Sequence, residues 1–215
     1  LMAKLKPSPF VGQLTGSLGN VAFRNTPTGV QMVVRQASRD PRTPAQRAVR
    51  SRMARAAALW KSMSVAQAAA WRTYAESRAE PMQPAPIAFN LFSALAVRVL
   101  AVNPAATVPL LPPAQPFAGD AVRVRLAAGS SAVEVSVDAG NAPGVVTEFR
   151  LQPLASIHRA AYAEKYRSAG IFELMAGQPV SLACAAPGPV AVALRVIDAA
   201  TGQSGPLLEL GRVVV

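Results

Sequence analysis

The stretch from Thr43 to Trp71, TPAQRAVRSRMARAAALWKSMSVAQAAAW, decides the front half of the fold. Thr43 suits an N-cap, Pro44 suits the first helical position, and Gln46 closes a capping box. Ser64 and Gln67 repeat that pattern. The spacing predicts one helix from Pro44 to Ser62 and a second from Val65 to Ala79. On the first, Val49, Met53, Ala56, Trp60 and Met63 fall on one apolar stripe. Arg47, Arg50, Arg55 and Lys61 point away from it. On the second, Ala68, Trp71 and Ala75 make a small-large-small face with Tyr74 at its edge. Only Met63 separates Ser62 from Ser64. The expectation is therefore a tight helical hairpin whose core holds Val49, Met53, Trp60, Met63 and Trp71.

Downstream, AEPMQPAPIA breaks the helix, and a third helix is expected from Ala88 to Val102. Its apolar residues run nearly all the way round, which is the pattern of a helix buried on most sides. Upstream, VAFRNTPTGVQMVVRQ reads as a β-hairpin. Val21 and Phe23 alternate with Ala22 and Arg24, and Val30, Met32 and Val34 alternate with Gln31, Val33 and Arg35. Asn25 to Gly29 supplies the turn chemistry. Residues 1–20 read as extended and loop-like, with Pro7 and Pro9 against helix. A hairpin alone is marginal in water, so this one is expected to pack on its own helices or on a neighbouring subunit.

A proline-rich stretch over 104–119 reads as a linker. Beyond it the period changes to two. Strands are expected near Val122–Leu126 and Val133–Val137, then at Val145–Leu151, Ile171–Met175, Val180–Ala185, Val190–Ile197 and Leu207–Val215. Seven short strands fit a β-sandwich over 120–215. ASIHRAAYAEKYRSAG reads either as a long decorated loop or as one helical turn plus an edge strand. The fold class expected is thus an α+β module over 1–103, a β-hairpin plus three helices, followed by an all-β Ig/fibronectin-like sandwich.

Charge divides the chain in the same place. Residues 1–103 hold fourteen Lys and Arg against three Asp and Glu, whereas 104–215 hold eight of each. The net charge of +11 is therefore all in the front half. Such a half favours an acidic partner, whether nucleic acid, an anionic protein surface or lipid headgroups; the alternative is a solubilising surface. The densest run is Arg35, Arg39, Arg42, Arg47, Arg50, Arg52 and Arg55, which would be the electrostatic anchor for an acidic partner.

Little points to catalysis, and an enzyme is not expected. His158 is the one histidine, in the polar run SIHRAAY, and no Gly-x-Ser-x-Gly elbow occurs. Cys184 is the one cysteine, on an apolar alternating run, which leaves no thiolate metal set and no disulfide within the chain. The glycines of GQLTGSLGN lead into a strand with no Lys-Ser/Thr after them, so they do not read as a phosphate loop. No cofactor and no metal are expected. Lys4 and Lys6 precede no continuous apolar stretch, so a secretory leader is not expected. IAFNLFSALAVRVLAV is too short to span a bilayer and contains Asn90 and Arg98.

Two resemblances add to this. The last hairpin, Val190 to Val215, resembles the final two strands of fibronectin type III and related Ig-like domains; it lacks their aromatic hallmarks, so architecture alone carries over. The front residues Gly16, Gly19, Asn20 and Phe23 form Gly-x-x-Gly-Asn-x-x-Phe. Pro41, Thr43, Ala45, Gln46 and Arg50 form Pro-x-Thr-x-Ala-Gln-x-x-x-Arg, followed by Trp60 and Trp71. Over about the first 95 residues this resembles a group of uncharacterised bacterial and phage-encoded proteins. The resemblance implies a virion-associated structural protein, capsid- or tail-associated, assembled in the bacterial cytoplasm as a homo-oligomer or with other virion proteins. Hairpin residues Val21, Phe23, Val30, Met32 and Val34 would be the assembly contacts. The alternatives are a nucleic-acid-binding protein using the arginine-rich helix, with non-specific phosphate contact, and an extracellular filament subunit. Against sequence-specific readout, the second helix begins SVAQAAAW, with only Ser64 and Gln67 to meet base edges.

Overall fold

The computed structural model describes residues 2–5, 16–26, 29–34, 42–79 and 86–215. Three helices and three antiparallel sheets, among the described residues, make a mixed α+β protein whose C-terminal part is rich in strands. The chain divides into two compact units, Leu1–Pro44 and Ala45–Val215. The helices thus fall in one unit with the C-terminal strands, joined where the third helix meets Gly202 between the last two strands.

The first unit holds β1 (Met2–Leu5), β2 (Gly16–Leu18), β3 (Val21–Thr26) and β4 (Gly29–Val34). β3 and β4 are the expected hairpin, with Val21 opposite Val34, Phe23 opposite Met32 and Asn25 opposite Val30. Thr26 Oγ1 donates to Gly29 O at 2.7 Å and closes it. The hairpin is not alone, however. β1 pairs with β4 and β2 with β3, giving the order β1-β4-β3-β2. Residues 1–20, read as loop, supply both flanking strands. The physical reason is that a hairpin leaves two open edges, and here the chain's own backbone satisfies them.

In the second unit α1 (Pro44–Ser62), α2 (Val65–Glu76) and α3 (Ala88–Val102) stand at the expected positions, with α2 ending three residues early. Ser64 and Gln67 form the reciprocal capping box that their spacing predicts. The helical core is Ala56, Trp71, Ala75, Ala88, Phe92, Ala96, Val99, Leu100 and Val108, with Leu59, Trp60 and Met63 packed against it. Trp60 meets Phe89 and Phe92, and Trp71 meets Phe92 edge-on at 5.3 Å between centroids. Two residues expected in this core are outside it. Val49 and Met53 are 48% and 44% exposed, because the buried core begins only at Ala56 and the turns before it are mostly open to solvent.

The proline-rich stretch is built into the helical core. Val108 is buried, Trp71 Nε1 donates to Leu110 O at 2.9 Å, and Arg55 donates to Pro104 O and Ala106 O at 2.6 and 3.0 Å. Proline removes backbone donors, but these carbonyls still need partners, and an indole and a guanidinium supply them.

Seven strands follow: β5 (Arg123–Ala128), β6 (Ala132–Ala139), β7 (Val145–Pro153), β8 (Arg167–Phe172), β9 (Val180–Ala183), β10 (Pro189–Asp198) and β11 (Leu208–Val214). They form two antiparallel sheets, β11-β10-β7-β8 and β5-β6-β9. One core joins them: Val133, Val135 and Val137 of β6, Phe149 and Leu151 of β7, Leu182 of β9, and Val190, Val192, Leu194 and Val196 along β10. β8 lies four residues earlier than its expected start at Ile171. Its alternation is hidden by Ser168 and Gly170, and the buried Tyr166 just before it supplies the anchor. Of the two readings of the preceding stretch, one turn of 3₁₀ helix (Ala163–Lys165) plus an edge strand is the arrangement present.

The other face of β10 is buried too. Ala191, Ala193 and Ile197 are at most 1% exposed. Leu154, Tyr166, Ala161 and Leu207 pack over Ala191 and Ala193. Near Ile197, Gly202 in the β10–β11 loop lies against the Leu95 carbonyl and Val99 of α3. A strand covered on both faces loses its polar alternation, which explains the unbroken run VAVAL.

Candidate functional site

α1 carries the basic cluster. Its nineteen residues contain no acid. Arg47, Arg50 and Arg55 are exposed; Arg52 is half-buried and donates from Nε to Ala48 O at 3.2 Å. Arg55, held by Pro104 O and Ala106 O, has a structural task as well as a charge. Arg42 sits just before the helix in the left-handed region, with φ of 47°. Arg35 and Arg39 lie outside the described residues.

Two physical features set the start of α1 apart. From Pro44 to Arg55 every residue except Arg52 is exposed, including Val49 and Met53. A helical segment draws most of its stability from packing, and these turns have little of it. Arg47 also stands at the end where the helix dipole is positive, so it disfavours the helix by a few tenths of a kcal/mol, on the order of 0.3–1. Apart from Arg55, neither these arginines nor Val49 and Met53 belong to the packed helical core.

In the first unit the hairpin residues divide by accessibility. Val30 is 4% exposed and so is engaged within the chain. Val21, Phe23 and Met32 are half-buried, and Val34 is 46% exposed. Because directly paired residues share a face, Val21, Phe23, Val30, Met32 and Val34 lie on one side of the sheet. Leu18, opposite Val21, extends that side and is 77% exposed. The sequence reading misses Leu18 because β2 carries no strand signal of its own.

The chemistry-bearing residues stay apart. His158 is exposed in the loop after β7, and Cys184 is half-buried with its Sγ 3.7 Å from Leu182 O. Among the described residues no three His, Cys, Asp or Glu side chains cluster as metal ligands would. Among them, too, no helix is long and apolar enough to cross a membrane. Comparison with known proteins finds no matching family model, no matching curated protein and no matching solved structure.

Proposed function

We propose that this chain is a non-enzymatic structural subunit of a phage-like particle, capsid- or tail-associated, that assembles through its basic N-terminal region. The observation that carries the reading is the exposed start of α1. Three turns hold Val49 and Met53 beside arginines, on a helix with no acid of its own. An apolar anchor ringed by cations fits an acidic protein surface better than it fits bulk water. Leu18 and Val34, exposed on one side of the β1-β4-β3-β2 sheet, offer a second contact. The virion setting rests on the sequence resemblance of the hairpin and helix motifs.

The same reading makes the C-terminal sheets a fibronectin type III-like sandwich. The order β5-β6-β9 against β11-β10-β7-β8 supports it. With the seven strands lettered A, B, C, C′, E, F and G in chain order, this is A-B-E against G-F-C-C′, the arrangement of that domain type. Such a sandwich would face outward as decoration or an adhesive tip, where many weak contacts add through multivalency.

Sedimentation velocity of the full chain across a wide concentration range, followed by electron microscopy, tests the proposal. The expected result is concentration-dependent assembly into closed or particle-like forms. A folded chain that stays monomeric throughout refutes it, and open helical fibres favour the filament alternative. A second reading, non-specific nucleic-acid binding, is favoured by the acid-free α1. It predicts tight binding to random duplex DNA at physiological salt, with an affinity that falls steeply as salt rises.

A further inference from the structure

The outer face of the four-stranded sheet carries a charge imbalance where it meets α3. Glu148 of β7 accepts from Arg195 Nε of β10 at 2.6 Å, and Arg150 Nε stands 3.7 Å from its other oxygen. Arg98 of α3 feels both Arg195 and Glu148 and donates to Gly202 O at 3.2 Å. Three guanidiniums thus share one carboxylate. Burial, and then repulsion from Arg195, lowers the Arg98 pKa, with Glu148 acting in the opposite sense. Guanidinium nevertheless keeps its proton in proteins, so the imbalance is not relieved by titration. An anion would relieve it.

A groove of about 490 Å³ opens on this cluster. Its walls are Met53 of α1 and Phe89 and Val97 of α3, and its polar groups include Ser93, Arg98 and Arg195. Ser93 is 4% exposed, and its Oγ has no hydrogen-bond partner. A buried hydroxyl left unpaired is costly, and here it lines a groove that already has an excess of cations. We propose that the groove receives an acidic side chain from a partner polypeptide, its carboxylate held by Arg98 and Arg195 and by the Ser93 hydroxyl.

Chemistry selects this occupant. Guanidinium forks match a planar carboxylate, and Arg195 already holds one in Glu148. The apolar walls suit an acid with apolar neighbours; a free phosphate would lose hydration there and gain nothing from them. Met53 at the rim is 44% exposed, so the groove is too open to enclose a small ligand as binding pockets do. Residues 45–215 alone hold sixteen Lys and Arg against ten Asp and Glu, an excess that selects acidic partners. None of this depends on the first unit or on a virion setting.

The test is NMR of the full chain with ¹⁵N-labelled arginine, titrated with the blocked peptide Ac-Ala-Leu-Glu-Leu-Ala-NH₂. Parallel titrations use the same peptide with Gln for Glu, and sodium phosphate. The expected result is a saturable shift of the Arg98 and Arg195 Nε–H signals with the Glu peptide, and binding of the Gln peptide weaker by roughly tenfold or more. Arg98→Gln should abolish the response. If that variant fails to fold, Ser93→Ala serves in its place, because it removes a hydroxyl that makes no hydrogen bond within the chain. It should weaken binding several-fold, roughly threefold to tenfold. Absence of a saturable shift, equal response to the Gln peptide, or unchanged binding by Ser93→Ala overturns the proposal. A stronger response to phosphate overturns the carboxylate assignment.

Discussion

Gly202 shows how much a single position fixes. Its φ of 73° is one that L side chains rarely adopt, and a Cβ there would collide with the Leu95 carbonyl of α3. The neighbour is backbone in a helix and cannot swing away. Asp198 shapes the loop from the other side, accepting from Ala200 N and Thr201 Oγ1 at 2.9 and 2.7 Å. Gly202→Ala should therefore destabilise the chain by more than about 2 kcal/mol, read from the denaturant midpoint; a loss under about 0.5 kcal/mol would mean that α3 does not rest on this loop. Tyr166 is the opposite case. It is 3% exposed, and its Oη, close to the Glu209 carboxylate, makes no hydrogen bond of good geometry among the described residues. Burial first, then the charge of Glu209, raises the phenol pKa above its ordinary value. The folded state thus keeps a proton that the unfolded state gives up. Stability from this group is full below about pH 10 and falls as pH rises through the folded pKa. Tyr166→Phe should leave neutral-pH stability unchanged or raise it by about 1 kcal/mol, and should flatten the alkaline decline. A loss at neutral pH would show that the hydroxyl has a partner after all.

Helices and strands are legible in the sequence to different degrees, for reasons that individual residues expose. α1 can be bounded because its first-position proline and a period near four are local signals, and α3 because Pro86 and Pro104 flank it. The Ser64–Gln67 box is written entirely within four positions. Burial is not local. Val49, Met53 and Trp60 share one stripe, yet of the three only Trp60 joins the helical core, on Phe89 and Phe92 of a helix that begins far downstream. The flanking strands β1 and β2 are hidden because neither carries enough residues to display a period of two. The stretch 104–119 misleads for a third reason: prolines signal an absent helix, and they are silent about whether the chain lies against something. Trp71 tests that element. Its indole donates to Leu110 O, and its ring fills the core, so Trp71→Phe keeps most of the burial and deletes the tether. The variant should lose about 1–3 kcal/mol. It should also be cut faster by protease within 104–116, measured by mass spectrometry of early fragments. Cutting that rises equally everywhere would mean the bond is not what holds this stretch.

Charge asymmetry is plain in the sequence, whereas the division into units is not, because packing of α3 on the β10–β11 loop joins residues about a hundred positions apart. Arg98 to Gly202 is such a contact, and no composition shift announces it. What the composition does announce is that the cationic excess begins before the second unit and continues into α1. If those cations served solubility alone, removing one would cost nothing beyond charge. If they served the helix, reversing one at its N-terminal end would be harmful. The dipole argues the reverse for stability. Arg47 lies in the first turns of α1, exposed and at the positive end. Arg47→Glu should raise stability by about 0.3–1 kcal/mol, because an acid there meets the unpaired amides favourably. The assembly reading predicts the opposite sign for association: the same variant should shift sedimentation toward monomer, and Val49→Ser, which removes an exposed apolar group, should add to that shift while leaving the melting temperature nearly unchanged. Stability and assembly then move in opposite directions from one substitution. That outcome is hard to obtain from a merely destabilised protein. Should Arg47→Glu raise stability and leave association untouched, the arginines of α1 are a solvated face, and the contact between subunits lies elsewhere.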